Sequence, residues 1–213
     1  MDHLNLVLYP VIERYSAYTP YLDKMEADWI REKGPRFLIF DGQAIDGRNA
    51  WAETPAMWLE VYRWYNTRLL GVHNLLLERR KEPRFSRFES GGHSRIQFRN
   101  DIIQMPPAQQ PSFWTMQCAL TTTGNVRKEL FRVTAVTMTV ETSDGRNSVF
   151  RVLPEMFTSP TMGNYLPGNL AEFAEVFDAD SSPKFSVNRL TFGGPGISSY
   201  GPDCDFEVLR PVQ

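Results

Sequence analysis

The sequence predicts an α+β chain: a small parallel α/β layer followed by an antiparallel, jelly-roll-like β-sandwich. Three observations predict it. Up to residue 80, short apolar runs alternate with stretches of helical periodicity. From residue 113 onward, short runs rich in Val, Thr and Phe are separated by turn signals. Between them, residues 81–112 turn basic and then Pro-rich, which reads as a connector. The expected division is therefore 1–80, 81–112 and 113–213.

In chain order, Leu4–Tyr9 is apolar and fits a strand. Thr19-Pro20 starts a helix, because Thr caps free N–H groups and Pro suits the first helical position. Asp23, Glu26 and Asp28 favour the start of that helix through its dipole. Leu22, Met25, Trp29 and Ile30 share one face, and Gly34-Pro35 ends the helix. Phe37–Phe40 reads as a buried strand, Thr54-Pro55 as a second helix start, and Leu69–Leu77 as a strand interrupted near Gly71. Strand, helix, strand, helix, strand implies parallel pairing through right-handed crossovers. In the second half, strands are expected at Phe113–Thr122, Leu130–Thr142, Ser148–Leu153, Phe185–Phe192 and Phe206–Leu209, with a hairpin turn at Ser143-Asp144-Gly145. Arg95–Phe98 fits a further strand in the connector. Leu170–Phe177 satisfies both strand alternation and a helix.

Composition narrows the function. The 213 residues are 42% hydrophobic and 23% charged, as in ordinary globular chains. A net charge of -2 offers no global field for nucleic acid. No apolar run approaches the roughly 20 residues of a membrane span, and Met1-Asp2-His3 is not the basic start of a secretory signal. His3, His73 and His93 stand far apart and there is no CxxC, so no zinc site is readable and no cofactor is implied. Cys118 and Cys204 fall in the first and last strands of the β half. A disulfide in an oxidising compartment and two free thiols are both open readings.

Candidate sites follow from residue type. The loop after Phe37–Phe40 gathers Asp41, Asp46, Arg48, Trp51 and Glu53. Two carboxylates and an Arg suit a glycosidic bond, with Trp51 stacking on a sugar face. The competing reading is an ordered turn, since Asp-Gly pairs form turns and Arg48 has carboxylates beside it. Ser16 has a hydroxyl but neither a nucleophile elbow nor a nearby His in sequence. The basic stretch Arg79–Arg99 is diluted by Glu78, Glu82 and Glu89, and Gly193–Gly196 lacks the Lys and helix of a phosphate loop.

Several stretches in order carry a resemblance: Tyr15-Ser-Ala-Tyr-Thr-Pro20, Phe37-Leu-Ile-Phe-Asp-Gly42, Ile45-Asp-Gly-Arg48, Leu75-Leu-Leu-Glu-Arg-Arg80, Arg127-Lys-Glu-Leu-Phe-Arg132 and Arg151-Val-Leu-Pro154. Together they resemble the C-terminal extracytoplasmic region of uncharacterised bacterial multi-span membrane proteins, some of which resemble lipid-linked-sugar glycosyltransferases in their membrane part. The resemblance implies a periplasmic or extracytoplasmic location and assigns no catalytic residue. It also raises Arg127, Lys128, Leu130 and Phe131 as a membrane-surface contact, basic groups meeting phosphates while Leu and Phe enter the interface. The expected function is a non-catalytic domain that binds a glycan, a lipid-linked sugar or a protein partner. The alternatives are a carbohydrate-active hydrolase using Asp41, Asp46 or Glu53, and an assembly module. Neither the sequence nor the resemblance sets the oligomeric state.

Overall fold

The computed structural model describes residues 10, 19–106, 111–130, 135–178 and 183–213. The strand expected at Leu4–Tyr9, Ser16 and Phe131 lie outside the described residues.

The first helix, α1 (Pro20–Lys33), begins where Thr-Pro predicts, with the Leu22 N–H donating to the Thr19 hydroxyl. Its buried face differs from expectation. Ala27 and Ile30 are buried, but so are the carboxylates of Asp23 and Glu26, while Leu22, Met25 and Trp29 are only half-buried. Asp23 is buried because it starts another helix. After the single turn α2 (Ala50–Glu53), α3 (Pro55–Trp64) has Thr54 at its cap position, yet Thr54 makes no side-chain cap bond. The N–H groups of Ala56 and Met57 instead donate to the two carboxylate oxygens of Asp23, each at 2.9 Å. One helix thus caps another.

The strands β1 (Phe37–Phe40), β2 (Tyr65–Leu70) and β3 (Leu75–Arg79) form one sheet in the order β1-β3-β2. Every pairing in it is antiparallel, so the expected parallel pairing is not found among the described strands. The reason is local. Leu69–Leu77 is not one interrupted strand: the Gly71 N–H donates to the Asn74 carbonyl at 2.8 Å, closing a turn that folds β2 back on β3. So short a turn allows only antiparallel neighbours. The first strand is also less buried than expected, with Phe40 inside but Ile39 76% exposed.

The rest of the chain builds two four-stranded antiparallel sheets. One has the order β4-β11-β6-β9, from β4 (Arg87–Gln97), β6 (Phe113–Leu120), β9 (Thr161–Met162) and β11 (Tyr200–Val212). The other has the order β5-β10-β7-β8, from β5 (Ile103–Gln104), β7 (Val136–Thr142), β8 (Asn147–Val152) and β10 (Val187–Gly193). The pairs β4–β11, β5–β10, β6–β9 and β7–β8 are those of one long hairpin with its tip at Ser143-Asp144-Gly145. Curling that ribbon brings β11 onto β6 and β10 onto β7. Residues 87–104, read from sequence as connector, therefore contribute two strands. A helix, α4 (Thr122–Leu130), fills the stretch between the strands expected at Phe113–Thr122 and Leu130–Thr142, and the second of these is found as β7 from Val136. The ambiguous segment is the helix α5 (Leu170–Phe177): Asn169 accepts the Glu172 N–H, Glu172 reaches back to the Gly168 N–H, and Phe173, Ala174, Val176 and Phe177 share the buried side.

One aromatic core runs through both halves. Trp51 stacks with Trp58, Phe173 and Phe177. Tyr62 carries the chain of rings to Phe113 of β6 at 5.9 Å between centroids. Trp114 of β6 then meets Phe157 and Phe192, which lies on the facing sheet. Two arginines close the helix ends. Arg79 donates to the carbonyls of Ile30 and Arg31 at the end of α1. Arg84 donates to the carbonyls of Tyr62 near the end of α3 and Phe177 at the end of α5. Cys118 and Cys204 form a disulfide between directly opposed residues of β6 and β11, with their Cα atoms 4.5 Å apart.

Two tests follow from this framework. Burial pushes the Asp23 carboxyl up to about 7, against the pull of the Met57 and Ala56 N–H groups. Since that lies above the unfolded value of about 4, the folded chain holds this proton more tightly, so stability falls as pH rises between about 4 and about 7 and levels above that. Urea denaturation across this range should show a steeper fall for wild type than for Asp23→Asn, and equal slopes would refute the assignment. Reduction of the disulfide, which joins residues 86 apart, removes a cross-link worth at most about 4–5 kcal/mol in the chain-entropy picture. A clear drop in Tm is expected on reduction, and an unchanged Tm would contradict it.

Candidate functional site

The loop singled out from sequence is built as an ordered turn. Asp41 is exposed and its Oδ1 accepts the Gln43 N–H at 3.1 Å. Asp46 is exposed with φ 55, a left-handed conformation that Asp tolerates better than most residues. The Arg48 N–H closes the turn onto the Ile45 carbonyl. Arg48 then donates through Nη1 to Glu53 Oε1 at 2.9 Å, with side chains 13% and 2% exposed. Asn49 caps α2 by accepting the Trp51 and Ala52 N–H groups, and its own amide donates to the Pro167 carbonyl. Trp51 is wholly buried among Trp58, Phe173 and Phe177, so no face is left for a sugar to stack on. The five residues are not gathered into a cleft: Glu53 and Arg48 pair inside, Trp51 belongs to the core, and the two aspartates face solvent. The sequence pattern misled because Trp in a polar loop looks available until its neighbours are known.

The second group behaves differently again. Arg127, Lys128 and Leu130 lie exposed on α4, not at a strand start, and Leu130 is 69% exposed. Lys128 sits 3.5 Å from Glu155. Among the described residues no group of three His, Cys, Asp or Glu comes together to hold a metal ion.

A cleft of about 460 Å³ lies elsewhere, where the edge strands β4 and β5 of the two sheets meet over β11. Its origin is in side-chain size. Ser94 pairs with Phe206 and Gly92 with Val208, and directly opposed residues share a face. Phe206 is buried, so Gly92 and Ser94 occupy inward positions with little or no side chain. A Cβ on Gly92 would meet no atom within 4 Å. The sheets thus part at this edge. Ile96, Ile103 and Phe206 make an apolar floor, all under a tenth exposed. Ser94 faces it and Asp101 stands at its rim, while His93 and Gln104 border it from strand positions that alternate to the outer faces of β4 and β5. Asp101 is positioned by its own turn, with Oδ2 accepting the Gln97 N–H at 2.7 Å.

Such a cleft can hold a small ligand by an apolar face and hydrogen-bond its edges. It carries one carboxylate among its lining residues, not the facing pair that glycoside hydrolysis uses. Sequence reading passed over these residues, although Gly91-Gly92 beside Ser94 in a strand-like stretch is the signal that could have found them, since Gly in a strand marks close approach of another group. Ser94→Trp should fill the cleft while leaving the fold intact. Unchanged Tm with loss of ligand binding is expected, whereas a collapse of Tm would show that the inward position is packed and not open. Compared with known proteins, the chain matches no family model, no curated protein and no solved structure.

Proposed function

We propose that the chain is a non-catalytic binding domain of the cell envelope that holds a glycan, or the sugar part of a lipid-linked glycan, in the cleft between β4 and β5. The observation that carries this reading is the cleft itself, an apolar floor of Ile96, Ile103 and Phe206 with Ser94 and Asp101 at its rim and His93 and Gln104 on its borders. A sugar ring has the matching chemistry: one apolar C–H face and hydroxyl edges that donate and accept.

Three further features support it. The strand orders β4-β11-β6-β9 and β5-β10-β7-β8 are those of a jelly-roll sandwich, an architecture that lectins share. That likeness of architecture is an analogy, not an assignment. The Cys118–Cys204 disulfide favours an oxidising compartment such as the periplasm or the extracytoplasmic face of a membrane. The resemblance to the extracytoplasmic regions of multi-span membrane proteins points the same way. The hydrolase alternative is weakened, because Glu53 is held by Arg48 while Asp41 and Asp46 lie in a solvent-facing turn.

Calorimetric titration of the full chain with a panel of neutral, amino and acidic oligosaccharides tests the reading. Expected are binding of at least one class with dissociation constants on the order of 10 μM to 1 mM, typical of a small open site, and about a ten-fold or greater loss in Ser94→Trp. Absence of binding across the panel would sink the glycan reading. Release of new reducing ends from any oligosaccharide would replace it with the hydrolase.

A further inference from the structure

We infer that the outer face of the β1-β3-β2 sheet is a membrane-docking surface, which sets the β2–β3 hairpin into the interface of an anionic lipid bilayer. The inference starts from register. Ile39 lies opposite Leu76, and Leu76 opposite Leu69, so the three side chains form one row across the sheet. Their neighbours show which face this is. Tyr65, Leu75, Leu77 and Phe40 are buried in the core, and Thr67 donates to the Ala174 carbonyl of α5 beneath. The row Ile39–Leu76–Leu69 therefore points the other way. Ile39 is 76% exposed and Leu69 61%. Beyond them, at the hairpin tip, Val72 is 88% exposed, while Leu70, opposite the buried Leu75, belongs to the inner face. Scattered single apolar side chains need no explanation, but a contiguous row ending in an apolar tip marks a contact surface.

Charge decides the kind of partner. One row behind the aliphatic one, Phe37 lies opposite Glu78. Glu78 is shared by two arginines, Arg36 at 2.9 Å and Arg68 at 3.6 Å, whose side chains are 75% and 65% exposed. This band is cationic by one charge on a chain whose net charge is -2. It lies three residues from Leu75 along β3, about 10 Å at the usual strand rise. An apolar face sinks about 5–10 Å into the headgroup–acyl boundary. With Val72 at that depth, Arg36 and Arg68 stand at the phosphates. Asp41 is the carboxylate that follows β1 at the tip end, and the next residue, Gly42, packs on Leu170 of α5, so the chain turns there toward the inner layer. Two copies packed through this face with their strands running the same way would set the arginine bands against each other, which disfavours that arrangement of a second copy.

Flotation of the full chain with vesicles tests this, using phosphatidylcholine alone and phosphatidylcholine with about one-third phosphatidylglycerol. The chain should float with the anionic vesicles and bind the neutral ones less. The double substitution Ile39→Glu with Val72→Asp should lower binding at least about ten-fold, and each of Arg36→Gln and Arg68→Gln about five-fold with a weaker salt dependence. Circular dichroism and an intact disulfide serve as the folding check, since all four positions are exposed. Leu130→Glu on α4 should leave binding unchanged. Failure of the wild type to float, or equal flotation of the double variant, overturns the inference. So does a wild-type dimer in sedimentation that the double variant turns into a monomer, which would make a second copy the occupant. Oligosaccharide binding at the β4–β5 cleft is read separately, so neither result decides the other.

Discussion

The structure depends on how three short helices satisfy their ends. α1, α3 and α5 have 14, 10 and 8 residues, lengths at which an isolated helix is marginal in water. Each end leaves N–H or C=O groups without partners inside the helix, and burying such groups unpaired costs more than the helix returns. Asp23 supplies the start of α3, Arg79 the end of α1, and Arg84 the ends of α3 and α5 together. These three side chains make the helices into one layer before any aromatic packing is counted. The arrangement also explains why charge is taken into the interior. Asp23 is buried because backbone N–H groups replace water around it, and Arg84 because carbonyls do. In both cases burial moves the group's ionisation toward its neutral form, the carboxyl up and the guanidinium down.

The two larger sheets follow a different logic. A single long hairpin curls on itself, and the disulfide ties β6 to β11 across the middle of one sheet. Side chains from the two sheets fill the space between them where the strands are long, around Trp114, Phe157 and Phe192. At the β4–β5 edge, β5 is only two residues long and β4 presents Gly92 and Ser94 inward. The core ends there, and the cleft is what remains. A ligand in it would be held mainly by framework strands, with Asp101 presented from the turn between β4 and β5.

The two proposed surfaces use opposite chemistry. The cleft has a small apolar floor with Ser94 and Asp101 at its rim, a pattern for one small ligand. The sheet face has an open apolar row with a cationic band behind it, a pattern for a surface of broad extent. In a domain of the cell envelope the two are compatible, the second holding the first near the lipid from which a lipid-linked sugar would project.

What the sequence by itself determined is local. Thr19-Pro20 starts a helix, Phe37–Phe40 is a strand, and Ser143-Asp144-Gly145 turns a hairpin, because capping, β-propensity and turn chemistry act over a few residues. The placement of the two cysteines in strands also held. Tertiary structure decided everything that depends on what lies opposite. It made the first sheet antiparallel, turned the supposed connector into edge strands, and put Trp51 in the core instead of a site. It also chose a helix for Leu170–Phe177, whose pattern fits either state until one face is offered a partner. The cleft belongs to the same class, since an inward Gly or Ser is ordinary in a strand and becomes a cavity only when the facing sheet comes no closer. Pairing and burial are set by residues far apart in the chain, and no local pattern encodes which of them will meet.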